Sequence, residues 1–183
     1  MTHSDDNRPD LTRLRGVVAP EILIAAEVAS AKLREAGVPH TLVGGLAVGA
    51  HGYPRTTDDV DFLVGDEAFE KHVGGLVTLK VPLIAVGNVR IDFLSIDEAR
   101  GEKEPLRSAV ETPSPEGQVP VVPLTVLVYL KLKASRQKDI ADLVELLKRG
   151  RVDIEDIALY LAEYAPALVR KWEHVQKVAA AEE

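Results

Sequence analysis

The sequence predicts an α+β fold: a small mixed sheet flanked by helices, followed by a C-terminal helical region. Three observations carry this. Strand-like alternation is confined to the middle of the chain, over Asp59–Val64 and Val89–Ser95. After Pro123 the apolar residues recur at helical spacing instead, with stop signals at Gly150 and Pro166. The composition is globular, with 183 residues of which 46% are hydrophobic and 28% charged, so the chain has apolar surface enough for a core. The divisions expected are a flexible N-terminal segment (1–16), an α+β core (17–112) and a helical region (113–183).

Taken in order, the first residues to Gly16 are polar, which suits a loosely packed tail. Pro20 fits a first helical turn, Ile22, Leu23, Ala26, Ala29 and Leu33 follow at helical spacing, and Gly37 is a natural stop, so Pro20–Ala36 is expected to be a helix. Thr41–Val43 reads as a short buried strand that Gly44–Gly45 breaks into a brief helix ending near His51–Gly52. In Asp59–Val64 successive side chains alternate, which places Asp59, Asp61 and Leu63 on one face and Val60, Phe62 and Val64 on the other. Asp66–His72 reads as a short helix. Leu76–Val86 reads as an edge strand or bulge, because Pro82 interrupts it. In Val89–Ser95, Ile91 and Phe93 face one way and Arg90, Asp92 and Leu94 the other. Glu98–Val122 is read as loop, punctuated by Pro113, Pro115, Gly117 and Pro120, and helices are expected at Leu124–Ala134, Gln137–Arg149, Ile154–Tyr164 and Pro166–Ala181.

A net charge of −7 speaks against a surface that grips nucleic acid nonspecifically, although Lys131, Lys133, Arg136 and Lys138 leave a local basic patch open. Without cysteine, a metal would be held by oxygen or imidazole ligands. No uncharged apolar stretch approaches the roughly 18 residues that span a bilayer. The N-terminus is polar rather than signal-like, so the expectation is a cytoplasmic protein with no membrane partner.

The chemistry is concentrated between Val43 and Val64. Aspartate is disfavoured inside a strand, so Asp59 and Asp61 need an explanation. Alone, the DDVD string fits an acidic turn as well as a metal site. Asp92, a third strand carboxylate, tips it: three carboxylates on two neighbouring strands could hold one or two Mg²⁺ ions. Gly44 and Gly45 would expose backbone N–H groups to a phosphate, or make an ordinary tight turn. Arg55 and Thr57 could share the face of Asp59 and Asp61 and contact phosphate or orient a carboxylate.

Gly44-Gly45, Arg55-x-Thr57-x-Asp59-x-Asp61 and the later strand Asp92 resemble the nucleotidyltransferase fold of the DNA polymerase β superfamily, above all its small stand-alone members. The segment LKLKASRQKDIADLVELL is similar to the Lys…Arg-x-Lys-Asp-x-x-Asp segment of the AbiEii-type nucleotidyltransferases, some of which are toxins of toxin–antitoxin systems. The resemblance implies a nucleotidyltransferase-like sheet. It makes Asp59, Asp61 and Asp92 the metal ligands and catalytic carboxylates, with Asp92 as base. It also makes Gly44–Gly45 the phosphate turn and Lys131 a catalytic contact to the nucleotide phosphates; on physical grounds Arg136 would bring a second cation to a triphosphate. It implies Mg²⁺, an NTP such as ATP as donor, and an acceptor hydroxyl on tRNA, protein or a small molecule. A cognate antitoxin or toxin is the implied protein partner. The other reading it allows is a catalytically inactive nucleotide-binding or regulatory module of the same fold. Gly-Gly stands where many members have Gly-Ser, which removes a hydroxyl contact to phosphate. The roles of His51, Lys138, Asp139 and Asp142 are not set by the resemblance; Asp139 and Asp142, three apart, fit a solvated helix face as well as a site.

Overall fold

A computed structural model of the chain describes residues 8–81, 83–99, 106–111, 118–150 and 152–182. Helix α1 (Pro20–Glu35) starts with proline in its first turn, and glycine at 37 takes the left-handed φ of +69° that ends it. Strand β1 (His40–Val43) leads into α2 (Gly44–Ala50), a helix of 7 residues. Strand β2 (Asp59–Val64) follows, then the small ribbon β3 (Phe69–Lys71) and β4 (Val77–Leu79), then β5 (Arg90–Ser95). The main sheet has the order β1-β2-β5, with β1 antiparallel and β5 parallel to β2. Its register sets Val43 beside Asp61, Asp61 beside Asp92 and Asp59 beside Arg90. The N–H of Leu42 donates to the Pro120 carbonyl (2.7 Å) and that of Val122 to the Leu42 carbonyl (3.0 Å), so residues 120–122 extend the sheet at β1.

Both faces of the sheet are covered, which is why β2 is apolar on either side once past Asp61. Val60, Phe62 and Val64 are buried with Leu14, Ile22, Ala29 and Leu33 on the α1 side. Leu63, on the aspartate face, is buried with Val48 and with residues of the C-terminal helices. Those helices are α5 (Leu124–Ala134), α6 (Gln137–Lys148), α7 (Ile154–Tyr164) and α8 (Val169–Ala181). The side-chain carboxylate of Asp153 caps α7 by accepting from the N–H groups of Glu155 and Asp156 at 3.1 and 3.0 Å. Trp172, Val175 and Ala179 of α8 close the same core. No helix among the described residues is long and apolar enough to cross a membrane.

Four segments differ from the sequence expectation. Asp66–His72 is a 3₁₀ turn (Asp66–Ala68) followed by β3, because Phe69, Glu70 and Lys71 pair with Leu79, Thr78 and Val77. Correspondingly, only Val77–Leu79 of Leu76–Val86 is strand, and it stands apart from the main sheet; Pro82 lies outside the described residues. Within Glu98–Val122, helices α3 (Ile96–Ala99) and α4 (Leu106–Glu111) precede and interrupt the expected loop. Leu106, Ala109 and Val110 have the i, i+3, i+4 spacing of a buried face and join the core. Pro113, Pro115 and Gly117 lie outside the described residues. Of the N-terminal segment, residues 1–7 lie outside them too, but Leu11–Leu14 is a 3₁₀ turn capped by Asp10, with Leu14 fully buried rather than loose.

Candidate metal and nucleotide site

The parallel register of β2 and β5 gathers the three strand carboxylates. Asp59, Asp61 and Asp92 each offer an oxygen within 4.8 Å of the others, an all-oxygen donor set of the kind a hard divalent cation takes. The Thr57 hydroxyl donates to Asp59 Oδ1 at 2.9 Å. Arg90 bridges two of the three, with Nη2 donating to Asp59 Oδ2 at 2.7 Å and Nε lying 3.0 Å from Asp92 Oδ2. Burial alone would raise the Asp59 carboxyl, but Thr57 and Arg90 hold it below its usual range. Among the described residues Asp61 has no such hydrogen-bonding partner. Burial, then the charges of Asp59 and Asp92, push its pKa up to about 6, with Lys131 and Arg90 offsetting only part of this. A carboxyl so placed gains most from a cation, which would offset the repulsion of its like-charged neighbours. Number, spacing and chemistry of these oxygens therefore fit a divalent ion.

The glycine pair has a steric reason. Gly44 takes φ +66°, and a β-carbon there would overlap the Asp61 carboxylate; one at Gly45 would come within 2.8 Å of Thr57 Oγ1 and 3.2 Å of Arg55 Nη1. Gly44→Ala is accordingly expected to cost about 1–2 kcal/mol of stability for the left-handed backbone alone. By displacing Asp61 it should also abolish stabilisation by Mg²⁺ or Mn²⁺, read as the shift of thermal midpoint on adding the ion.

A second charged cluster lies beside the first. Lys131 Nζ donates to Asp139 Oδ1 at 2.9 Å and to Asp142 Oδ2 at 2.6 Å, and all three side chains are buried, at 6%, 3% and 2% exposure. Arg55 grips Asp142 from the other side, Nε to Oδ1 at 2.6 Å and Nη2 to Oδ2 at 2.8 Å. Arg136 binds Asp139 through Nε to Oδ2 at 2.7 Å. Burial would raise Asp139, but Arg136 and Lys131 hold it below its usual range. Three cations against two carboxylates leave one positive charge beside the aspartate triad.

A cavity of about 510 Å³ joins the two clusters. Its apolar wall includes Val43, Phe93, Leu127 and Leu130, and Asp61, Asp92, Lys131 and Arg136 also line it. The volume and the mix of apolar wall with few charges are those of a small-molecule site.

The sequence reading placed Asp59, Asp61, Asp92 and Thr57 together, and the structure does so too. Arg55 orients a carboxylate, that of Asp142, through Nε and Nη2, while its Nη1 donates to the Thr56 carbonyl at 3.0 Å. Lys131 and Arg136 line the cavity but are anchored on Asp139 and Asp142, and those two are a buried clamp, not a solvated helix face. His51 is buried, Nε2–H donating to the Val122 carbonyl at 2.8 Å, and burial lowers its pKa. It ties α2 to residue 122 and stands away from the carboxylates' hydrogen bonds. Arg90 as counter-ion was missed; its signal was the alternation that puts it on the Asp92 face of β5.

No protein-family model matches this chain, and no curated protein matches it. Among solved structures it is similar to the crystal structure of an antigenic nucleotidyltransferase-like protein from Paracoccidioides brasiliensis, with 18% identity and a TM-score of 0.46 over 90% of this chain and 94% of that one.

Proposed function

We propose that this protein is a Mg²⁺-dependent nucleotidyltransferase of the polymerase β type, which moves NMP from an NTP to an acceptor hydroxyl and releases pyrophosphate. The observation that carries this is the convergence of Asp59, Asp61 and Asp92 within 4.8 Å, two of them on the wall of a nucleotide-sized cavity. Divalent ions held by the three carboxylates would neutralise phosphate charge and activate the attacking oxygen. In the transfer, the acceptor oxygen bonds to the α-phosphorus, the bond from that phosphorus to the β-phosphate oxygen breaks, and Asp92 takes the acceptor proton. Asp92 is the most accessible of the three, its side chain 51% exposed, which suits a base that meets an incoming hydroxyl. Lys131 and Arg136 supply positive charge where it grows on the pyrophosphate. Similarity of the segment 130–147 to AbiEii-type enzymes makes a toxin of a toxin–antitoxin pair our proposal for its setting.

One observation favours the inactive-module reading: Arg90 already pairs with both Asp59 and Asp92. Protein incubated with each labelled NTP, Mg²⁺ and cell extract separates the two. Pyrophosphate release with label on an acceptor supports transfer, and nucleotide binding without either, under all four NTPs, overturns it.

A further inference from the structure

A second concavity adjoins the triad. About 690 Å³ in volume, it is lined by Arg55, Arg90 and Lys138, by Thr56, Thr57 and Asn88, and by the carboxylates of Asp58 and Asp59. None of its lining residues belongs to the apolar cavity, so Asp59 belongs to one cavity while Asp61 and Asp92 belong to the other. Around the second concavity three cations stand against two carboxylates, Asp58 and Asp59, a surplus of one positive charge in a chain of net charge −7. The cations are not equally available. Arg55 is held by Asp142 and Arg90 by Asp59 and Asp92. Lys138, exposed in the first turn of α6, has no hydrogen bond or ion pair among the described residues, and its charge is felt at Asp59. The basic patch of the sequence is thus divided by the fold: Lys131 and Arg136 serve the apolar cavity, Lys138 the second basin.

We propose that this basin holds a phosphate group of the acceptor, so that the molecule receiving the nucleotidyl group is itself phosphorylated. The inference rests on reading the triad as a transfer site. The donor has an apolar wall for its base and sugar and Lys131 and Arg136 for its phosphates. The acceptor must reach the same carboxylates from another side, and this basin is a hollow that meets Asp59 there. Its lining of one uncommitted ammonium, two guanidinium groups and the neutral hydrogen-bonding groups of Thr56, Thr57 and Asn88, set against the carboxylates of Asp58 and Asp59, leaves a net positive charge and N–H donors for the oxygen atoms of a phosphate. A nucleic-acid backbone and a small phosphorylated molecule share this chemistry.

The test uses the full chain with Mg²⁺ and a non-transferable NTP analogue occupying the donor side. It is titrated by fluorescence anisotropy with a labelled ten-nucleotide oligoribonucleotide, and by calorimetry with inorganic phosphate. The expected result is saturable binding of one probe, weakened at least about fivefold by Lys138→Glu and restored by Lys138→Arg, with analogue affinity unchanged within about twofold. Oligonucleotide binding that falls with salt identifies a nucleic-acid acceptor; phosphate binding alone identifies a small phosphorylated one. Wild-type protein that binds neither overturns the proposal. So does Lys138→Glu protein that binds both as tightly as wild type, or that loses the analogue as well. Failure of the analogue itself to bind, read separately, counts against the transferase, and titrating the probes without it still reads the basin.

Discussion

Asp61→Asn is expected to cut nucleotidyl transfer by about a thousandfold or more and, at neutral pH, to make the protein more stable. The loss follows from removing a carboxylate that lines the cavity and neighbours both other members of the triad; about 4 kcal/mol of transition-state stabilisation corresponds to that factor. The gain follows from the same surroundings. Burial, Asp59 and Asp92 raise the Asp61 carboxyl from 3.8 to about 6, so the folded protein binds this proton more tightly than the unfolded chain. Stability from this group is therefore greatest at low pH and falls as pH rises between those two values. At about 1.4 kcal/mol per unit, the ionised carboxylate costs up to about 3 kcal/mol above pH 6, or several degrees of thermal midpoint. The variant should thus melt well above wild type at pH 7.5 without metal, and level with it near pH 3.5. Added Mg²⁺ should narrow the gap by stabilising wild type alone. Equal melting at pH 7.5, or undiminished transfer, would remove Asp61 from the site.

Such a residue, harmful to the fold and placed at its centre, was legible because strand alternation has a period of two and can be read from six residues. The same rule exposed Asp92. What could not be read depends on distant chain segments meeting. Arg55 and Asp142 are 87 positions apart, and no local pattern pairs them. Asp139 and Asp142 stand three apart, a spacing shared by solvated and buried faces. What decides between them is the turn after α5, where Ser135 adopts φ 51° and folds α6 back so that both carboxylates meet Lys131. Helix α4 was hidden for a different reason: its buried spacing is only a turn and a half long, and the prolines beyond it dominate the local signal. The β3–β4 ribbon, three residues a strand, is likewise too short for its alternation to compete with the acidic, helix-like start at Asp66.

Lys131 carries two duties that one experiment can separate. Two of its three N–H groups are spent on Asp139 and Asp142, and the ammonium also lines the cavity, so a third donor remains for a phosphate. As an anchor, it is part of a buried ionic cluster, and removing one member leaves an uncompensated charge in a site with little water. Asp142→Ala is therefore expected to destabilise by about 3–5 kcal/mol, because it strands Arg55 and half of Lys131 at once. Lys131→Met should cost less, because Arg55 continues to hold Asp142 and Arg136 to hold Asp139. The double variant Lys131→Met/Asp142→Leu should cost less than the sum of its parts by about 1–3 kcal/mol, as measured by urea denaturation. As a phosphate ligand, Lys131 should matter in a way Asp142 does not. With both proteins kept folded at low temperature, Lys131→Met should lose NTP affinity at least about tenfold, one charge-assisted hydrogen bond of roughly 1.4 kcal/mol or more. Asp142→Ala, which leaves the ammonium in place with Asp139, should lose less. Equal losses would make Lys131 a clamp for α5 and α6 alone.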